Sequence, residues 1–109
     1  MPEQTSEQTT DATVEVSDAP HHSRFEITAG GRLAGFLEYR MLPGVIVFEH
    51  TEINQDFQGR GLAGQLAAGA LDAVRDRDLR IRPVCEYLAG YVQRNPRYAG
   101  LVEPPSPDS

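Results

Sequence analysis

The amino-acid sequence predicts an α/β protein, a mixed and mostly antiparallel sheet with two principal helices. Three observations predict it. Short β-compatible runs fill residues 24–53, separated by paired turn residues. A long run with helical spacing follows a glycine-rich step near residue 60. A brief strand-like run and a second helical run come after it. A strand, a helix and then a neighbouring strand return the chain to the same sheet with at least one helix packed on it. The 109 residues suffice for one small core and not for two.

In the stretch RFEITAGGRLAGFLEYRMLPGVIVFEHTEI, Gly30-Gly31 and Pro43-Gly44 mark two turns. Paired glycines accept the positive φ of a tight hairpin, and Pro-Gly presets the central positions of a type II turn. The expected strands are 24–28, 32–41 and 45–49, the last continuing through a bend to residue 53. Without a bulge, Ile46, Phe48, His50 and Glu52 share one face and Val45, Val47, Glu49 and Thr51 the other; a bulge swaps the later members. From residue 62, Leu62, Leu66, Ala70 and Val74 recur at helical spacing, with Asp72, Arg75, Asp76, Arg77 and Asp78 on the wet side and at the end. LRIRPVC reads as a short strand stopped near Pro83, and EYLAGYVQRNP as a helix ending before Pro96.

The ends are polar. Residues 1–20 carry five carboxylates, no base and no aromatic ring, so they read as a disordered acidic tail whose removal leaves folding and ligand affinity nearly intact. Residues 21–103 form the expected domain, and 104–109 a flexible C-terminal end. The net charge is −6, most of it in the tail. An acidic total with no basic block argues against nucleic acid or an anionic membrane as partner. All basic side chains are arginines, so lysine Schiff-base chemistry and a lysine-bearing phosphate loop are excluded. A lone cysteine, Cys85, allows no internal disulfide, and the absence of a long apolar run makes a cytoplasmic location the simplest expectation. No His or Cys spacing suggests a metal site.

The turn Gln58-Gly59-Arg60-Gly61-Leu62-Ala63 opens the long helix. Helix-start amides lack internal partners and the peptide dipoles favour negative charge there, so this turn suits a phosphate, with Arg60 adding a charge-assisted contact. The alternative is a flexible turn whose small residues let the helix pack closely. The six residues resemble the Q/R-x-x-G-x-G/A signature of the GNAT superfamily of acetyl-coenzyme A dependent N-acetyltransferases. With His50-Thr51-Glu52-Ile53, Arg82-Pro83-x-Cys85 and Pro96-x-Tyr98, the chain resembles the very small single-domain members called the YjdJ type, over nearly all of residues 24–102. It departs from them at Glu86, where proline is expected.

That resemblance implies a GNAT-like, strongly twisted sheet whose central strands part to admit the arm of acetyl-CoA. Gln58, Gly59, Arg60, Gly61, Leu62 and Ala63 then contact the pyrophosphate, and Phe57 borders the arm. The acceptor is an unidentified amine, on a small molecule or a protein, at an open or composite site. A noncatalytic CoA-sensing or protein-interaction domain is the alternative. Acetyl transfer needs a base for the amine and an acid for the leaving thiolate. His50 and Glu52 are the base candidates, with Glu49 as the alternative if the strand bulges; each also suits a surface role at a bend. Cys85 at a helix start has a favoured thiolate unless burial opposes it. Tyr87 or Tyr91 is the acid the family pattern implies, while Tyr98 and Thr51 read as structural.

Overall fold

A computed structural model of the chain describes residues 13–104. Five strands run in the order β1 (Val14–Ala19), β2 (Arg24–Ala29), β3 (Arg32–Leu42), β4 (Val45–Ile53) and β5 (Arg80–Pro83). The first four pair antiparallel and β5 lies parallel to β4. Helix α1 (Leu62–Asp76) makes the crossover from β4 to β5, and α2 (Glu86–Arg94) follows. The predicted α/β architecture and its two principal helices are present.

Both helices lie on one face of the sheet. Helix α1 buries Leu62, Leu66, Ala67, Ala70, Leu71 and Val74 against Phe25, Ile27, Leu37, Ile46 and Phe48. Full burial of a leucine of this kind contributes about 1.5–3 kcal/mol. Helix α2 adds Leu88 and Val92 to the same core, and its Tyr87 and Tyr91 rings lie against Gly64 of α1. The other face of the sheet carries Arg24, Glu26, Phe36, Glu38, His50 and Glu52, and no helix among the described residues covers it.

Strand β1 corrects the reading of residues 1–20 as a disordered tail. Averaged composition hid a six-residue alternation: Val14 and Val16 turn to the core beside Ala29 and Ile27, and Glu15 and Ser17 face outward. Three contacts hold the strand. A Cβ on Gly69 would stand 2.8 Å from Val16 Cγ1, so the glycine lets α1 approach β1. Tyr39 donates a 2.6 Å hydrogen bond to Asp18, and Arg77 at the end of α1 donates at 2.9 Å to the other Asp18 oxygen. Residues 1–12, and the expected flexible end apart from Pro104, lie outside the described residues.

The expected meander is present, and β4 does bulge. Register runs from Tyr39↔Phe48 to Glu38↔His50, leaving Glu49 as the extra residue. The bulge swaps the later members, as an unbulged strand would not. Thr51 and Ile53 join Ile46 and Phe48 on the helix face, while His50 and Glu52 go to the open face. Glu49 is paired with Arg40 at 3.1 Å.

Two outcomes test this packing. Gly69→Ala gains up to about 1 kcal/mol of helix propensity and loses about 1–3 kcal/mol to overpacking against Val16. It therefore lowers the urea midpoint, whereas Gly64→Ala, whose new methyl meets nothing closer than 3.7 Å, does not. The second concerns pH. Burial first, then the bond to Asp18, pushes the Tyr39 phenol up from 10.0 to about 12. The folded state thus holds this proton more tightly than the unfolded chain. The stability it contributes is complete below pH 10 and is lost as pH rises through about 12. Melting temperature falls across that window, and Tyr39→Phe flattens the fall.

Candidate active site

The site begins where β4 and β5 separate. Their parallel register ends at Phe48↔Pro83, and the Phe48 carbonyl accepts from both Val84 N (3.0 Å) and Cys85 N (2.9 Å). Beyond this point β4 continues to Ile53, paired only with β3. Its outer edge faces a cleft of about 370 Å³ whose far wall is the start of α1. Thr51, Ile53, Phe57, Gln58, Gly61 and Tyr87 are among its lining residues.

Local sequence shapes the α1 wall. Asn54 accepts from Asp56 N at 3.0 Å and starts a short 3-10 turn that buries Phe57. The chain then needs two left-handed residues, supplied by Gly59 (φ 81°) and Gly61 (φ 74°). Gly61 caps α1 without any side-chain hydrogen bond, and no acidic residue stands in the first turn. The helix-start amides therefore face the cleft free of a competing carboxylate. The Arg60 and Arg32 guanidinium carbons lie 5.2 and 5.0 Å from the Phe57 ring centre; Arg32 is paired with Asp56 at 3.9 Å, and Arg60 makes no ion pair among the described residues. A bare helix start, the Arg60 cation and an open strand edge fit the pyrophosphate and amide-bearing arm of acetyl-CoA.

The predicted cofactor residues Phe57, Gln58, Gly59, Gly61, Leu62 and Ala63 all line this cleft, and Arg60 stands beside Phe57. The candidate catalytic residues divide. Tyr87 lines the cleft; Tyr91 does not, its ring lying 6.1 Å from that of Tyr98. Burial raises the Tyr87 phenol above its ordinary value, with Tyr91 and Cys85 adding to the effect and Arg94 opposing it. Cys85 is the N-cap of α2, buried, with its sulfur 3.1 Å from Thr51 Oγ1. It lines neither the cleft nor the second cavity described next.

His50 and Glu52 sit together on the open face, His50 Nε2 at 3.1 Å from Glu52 Oε1, both side chains more than half exposed. Glu52 lines a larger cavity of about 750 Å³ on that side, with Leu33, Phe36, Asn54 and Gln55. The two hollows share Thr51, Ile53 and Gln58, so they meet at the free edge of β4. Sequence reasoning did not place Thr51 at these hollows, which depends on the bulge, nor Arg32 beside Phe57, which it reaches because the β2–β3 hairpin ends beside Ile53. Among the described residues no group of three or more His, Cys, Asp or Glu is placed to hold a metal, and no helix is long and apolar enough to cross a membrane.

Comparison with known proteins agrees with this geometry. Protein NATD1 from mouse and from human are each 40% identical over 62 residues, 55% of this chain and 56% and 55% of theirs. Protein NATD1 from Xenopus tropicalis is 44% identical over 58 residues, 51% of this chain and 53% of its own. The chain thus spans about half the length of these relatives. The NMR structure of a GCN5-like protein from Staphylococcus aureus has the same fold, with a TM-score of 0.62 at 15% identity over 91% of this chain and 95% of that one. Residues 24–101, from the second strand through the last turn, match the family model described as GCN5-related N-acetyl-transferase. The chain belongs to the GCN5-related N-acetyltransferase family.

Proposed function

We propose that the protein, a small single-domain member of the YjdJ type, binds acetyl-CoA in the cleft and transfers its acetyl group to an amine held on the opposite side of β4. The observation that carries this reading is the parting of β4 from β5 at Phe48, which opens onto the bare start of α1. Acetyl-CoA supplies the acetyl group as an activated thioester. The amides of Leu62, Ala63 and Gly64 hold the pyrophosphate and Arg60 reinforces its charge. The free edge of β4 orients the arm through backbone hydrogen bonds, and Phe57 closes its side.

A protonated amine and a thioester give an amide, a thiol and one proton. The chain must therefore take protons from nitrogen and return one to sulfur. Glu52, lining the acceptor cavity, accepts the proton at its carboxylate, and His50, bonded to it, passes it to solvent. Tyr87 is the donor to sulfur. Its raised value keeps the phenol protonated through neutral and mildly alkaline pH, as a donor requires. Cys85 is assigned to positioning: buried and bonded to Thr51, it fixes the strand end that both ligands share.

Calorimetric titration with acetyl-CoA gives one site per chain. Gly61→Ala, strained at φ 74°, weakens that binding about tenfold or more. No heat and no ligand-dependent thermal stabilisation in the unaltered chain would overturn the cofactor reading. With a working acceptor, Tyr87→Phe lowers kcat about a hundredfold at nearly constant acetyl-CoA affinity, and Tyr91→Phe changes it little. Cys85→Ser keeps turnover within a few-fold; a complete loss with intact folding would instead assign the sulfur a covalent role.

A further inference from the structure

The larger cavity has an unusual lining for an acceptor site, because only one of its residues ionises. Glu52 is a carboxylate among Leu33, Gly35, Phe36, Thr51, Ile53 and three carboxamide side chains, and no arginine or histidine lines it. Two of those carboxamides are already engaged: Asn54 accepts from Asp56 N, and Gln58 Nε2 donates to the Ile53 carbonyl at 3.3 Å. The cavity thus offers a ligand one negative charge, one free carboxamide in Gln55, and an aromatic and aliphatic wall.

Charge beyond the rim continues the pattern. Register places Glu26, Phe36 and Glu52 in one row across β2, β3 and β4, and Arg24, Glu38 and His50 in the next. Arg24 is tied to Glu26 at 2.9 Å with its guanidinium over Phe36, 4.5 Å from the ring centre, so those two charges offset each other. Glu38 makes no ion pair among the described residues. At the phosphate end Arg60 stands beside Phe57 with no ion pair among the described residues, while Arg32 on the same ring is paired with Asp56 at 3.9 Å. The protein therefore separates sign: positive where the cofactor phosphates go, negative where the acceptor enters.

We infer that the acceptor is an alkyl primary amine that carries a second positive charge and no carboxylate near the reacting nitrogen, with Glu52 receiving the ammonium and Glu38 the second cation. This rests on the proposed acetyl-CoA cleft. A free amino acid brings its carboxylate within a few ångströms of Glu52, where like charges repel. A linear diamine, or a lysine beside an arginine in a peptide, meets complementary charge at both points. The hydrocarbon chain between its charges passes Phe36, which stands next to Glu52 across the sheet and two residues from Glu38 on β3.

The test is calorimetry on the full chain. CoA is titrated first, and the CoA-saturated protein is then titrated with 1,5-diaminopentane, with a terminally blocked Lys-Arg dipeptide, and with alanine. The expected result is saturable binding of the diamine or the dipeptide at least about tenfold tighter than alanine, weakening with added salt. Which of the two binds more tightly tells a small-molecule acceptor from a protein one. Glu52→Gln weakens the cation at least about tenfold and Glu38→Gln about threefold, the latter leaving CoA affinity unchanged. Equal or tighter binding of alanine, no cation binding to the CoA complex, or cation binding indifferent to both substitutions overturns the inference alone. Failure of CoA itself to bind overturns the cofactor reading and this inference with it.

Discussion

One carbonyl decides the shape of this protein. Phe48 O takes the amides of both Val84 and Cys85, and with that the parallel ladder ends. A strand that leaves its neighbour ordinarily exposes backbone groups at a cost. Here the bulge at Glu49 twists β4 away just past the last shared pair, and pairing with β3 secures its other edge as far as Ile53. Cys85, anchored by the same carbonyl, then caps α2 and sets Tyr87 over the gap. The cleft, its far wall and the aromatic hydroxyl in it all follow from where that ladder stops.

The bulge also sorts the chemistry. With two residues of β4 opposite one step of β3, the parity of the strand reverses, and Thr51 turns inward while His50 and Glu52 turn out. The pair proposed to accept the proton is thereby kept off the proposed phosphate side, where Arg60 would compete for its charge. Among the described residues the helices lie on one side of the sheet, which suits this division, because each proposed ligand has a face of its own.

Much of this was legible in the sequence. The hairpin turns at Gly30-Gly31 and Pro43-Gly44, the helical spacing from Leu62 and the glycine turn before it are local signals, and local signals survive without an alignment. The residues that line the cleft at the start of α1 were legible for the same reason, being contiguous between Phe57 and Ala63. What escaped depended on distant partners. Val14 and Val16 look unremarkable among acidic and polar neighbours until Gly69 makes room for them. That Thr51 lines both hollows could be seen only once the parity of its strand was known. Which of Tyr87 and Tyr91 lines the cleft turned on helix rotation, which residues spaced four apart do not reveal.

The clamp on β1 bears on the order of folding. Pairing of β1 with β2 joins residues only a few positions apart at its near end, across the short turn Pro20–His22, so it closes cheaply. The bond from Arg77 to Asp18 spans 59 positions and requires the finished end of α1. During synthesis the first strand emerges long before the glycine that seats it, so the apolar face of β1 stays uncovered until the crossover helix arrives, and its outer edge remains the edge of the finished sheet. Its outward glutamate and serine, Glu15 and Ser17, keep that strand polar on its open face, and the acidic character of this end of the chain acts as a guard against pairing with another molecule.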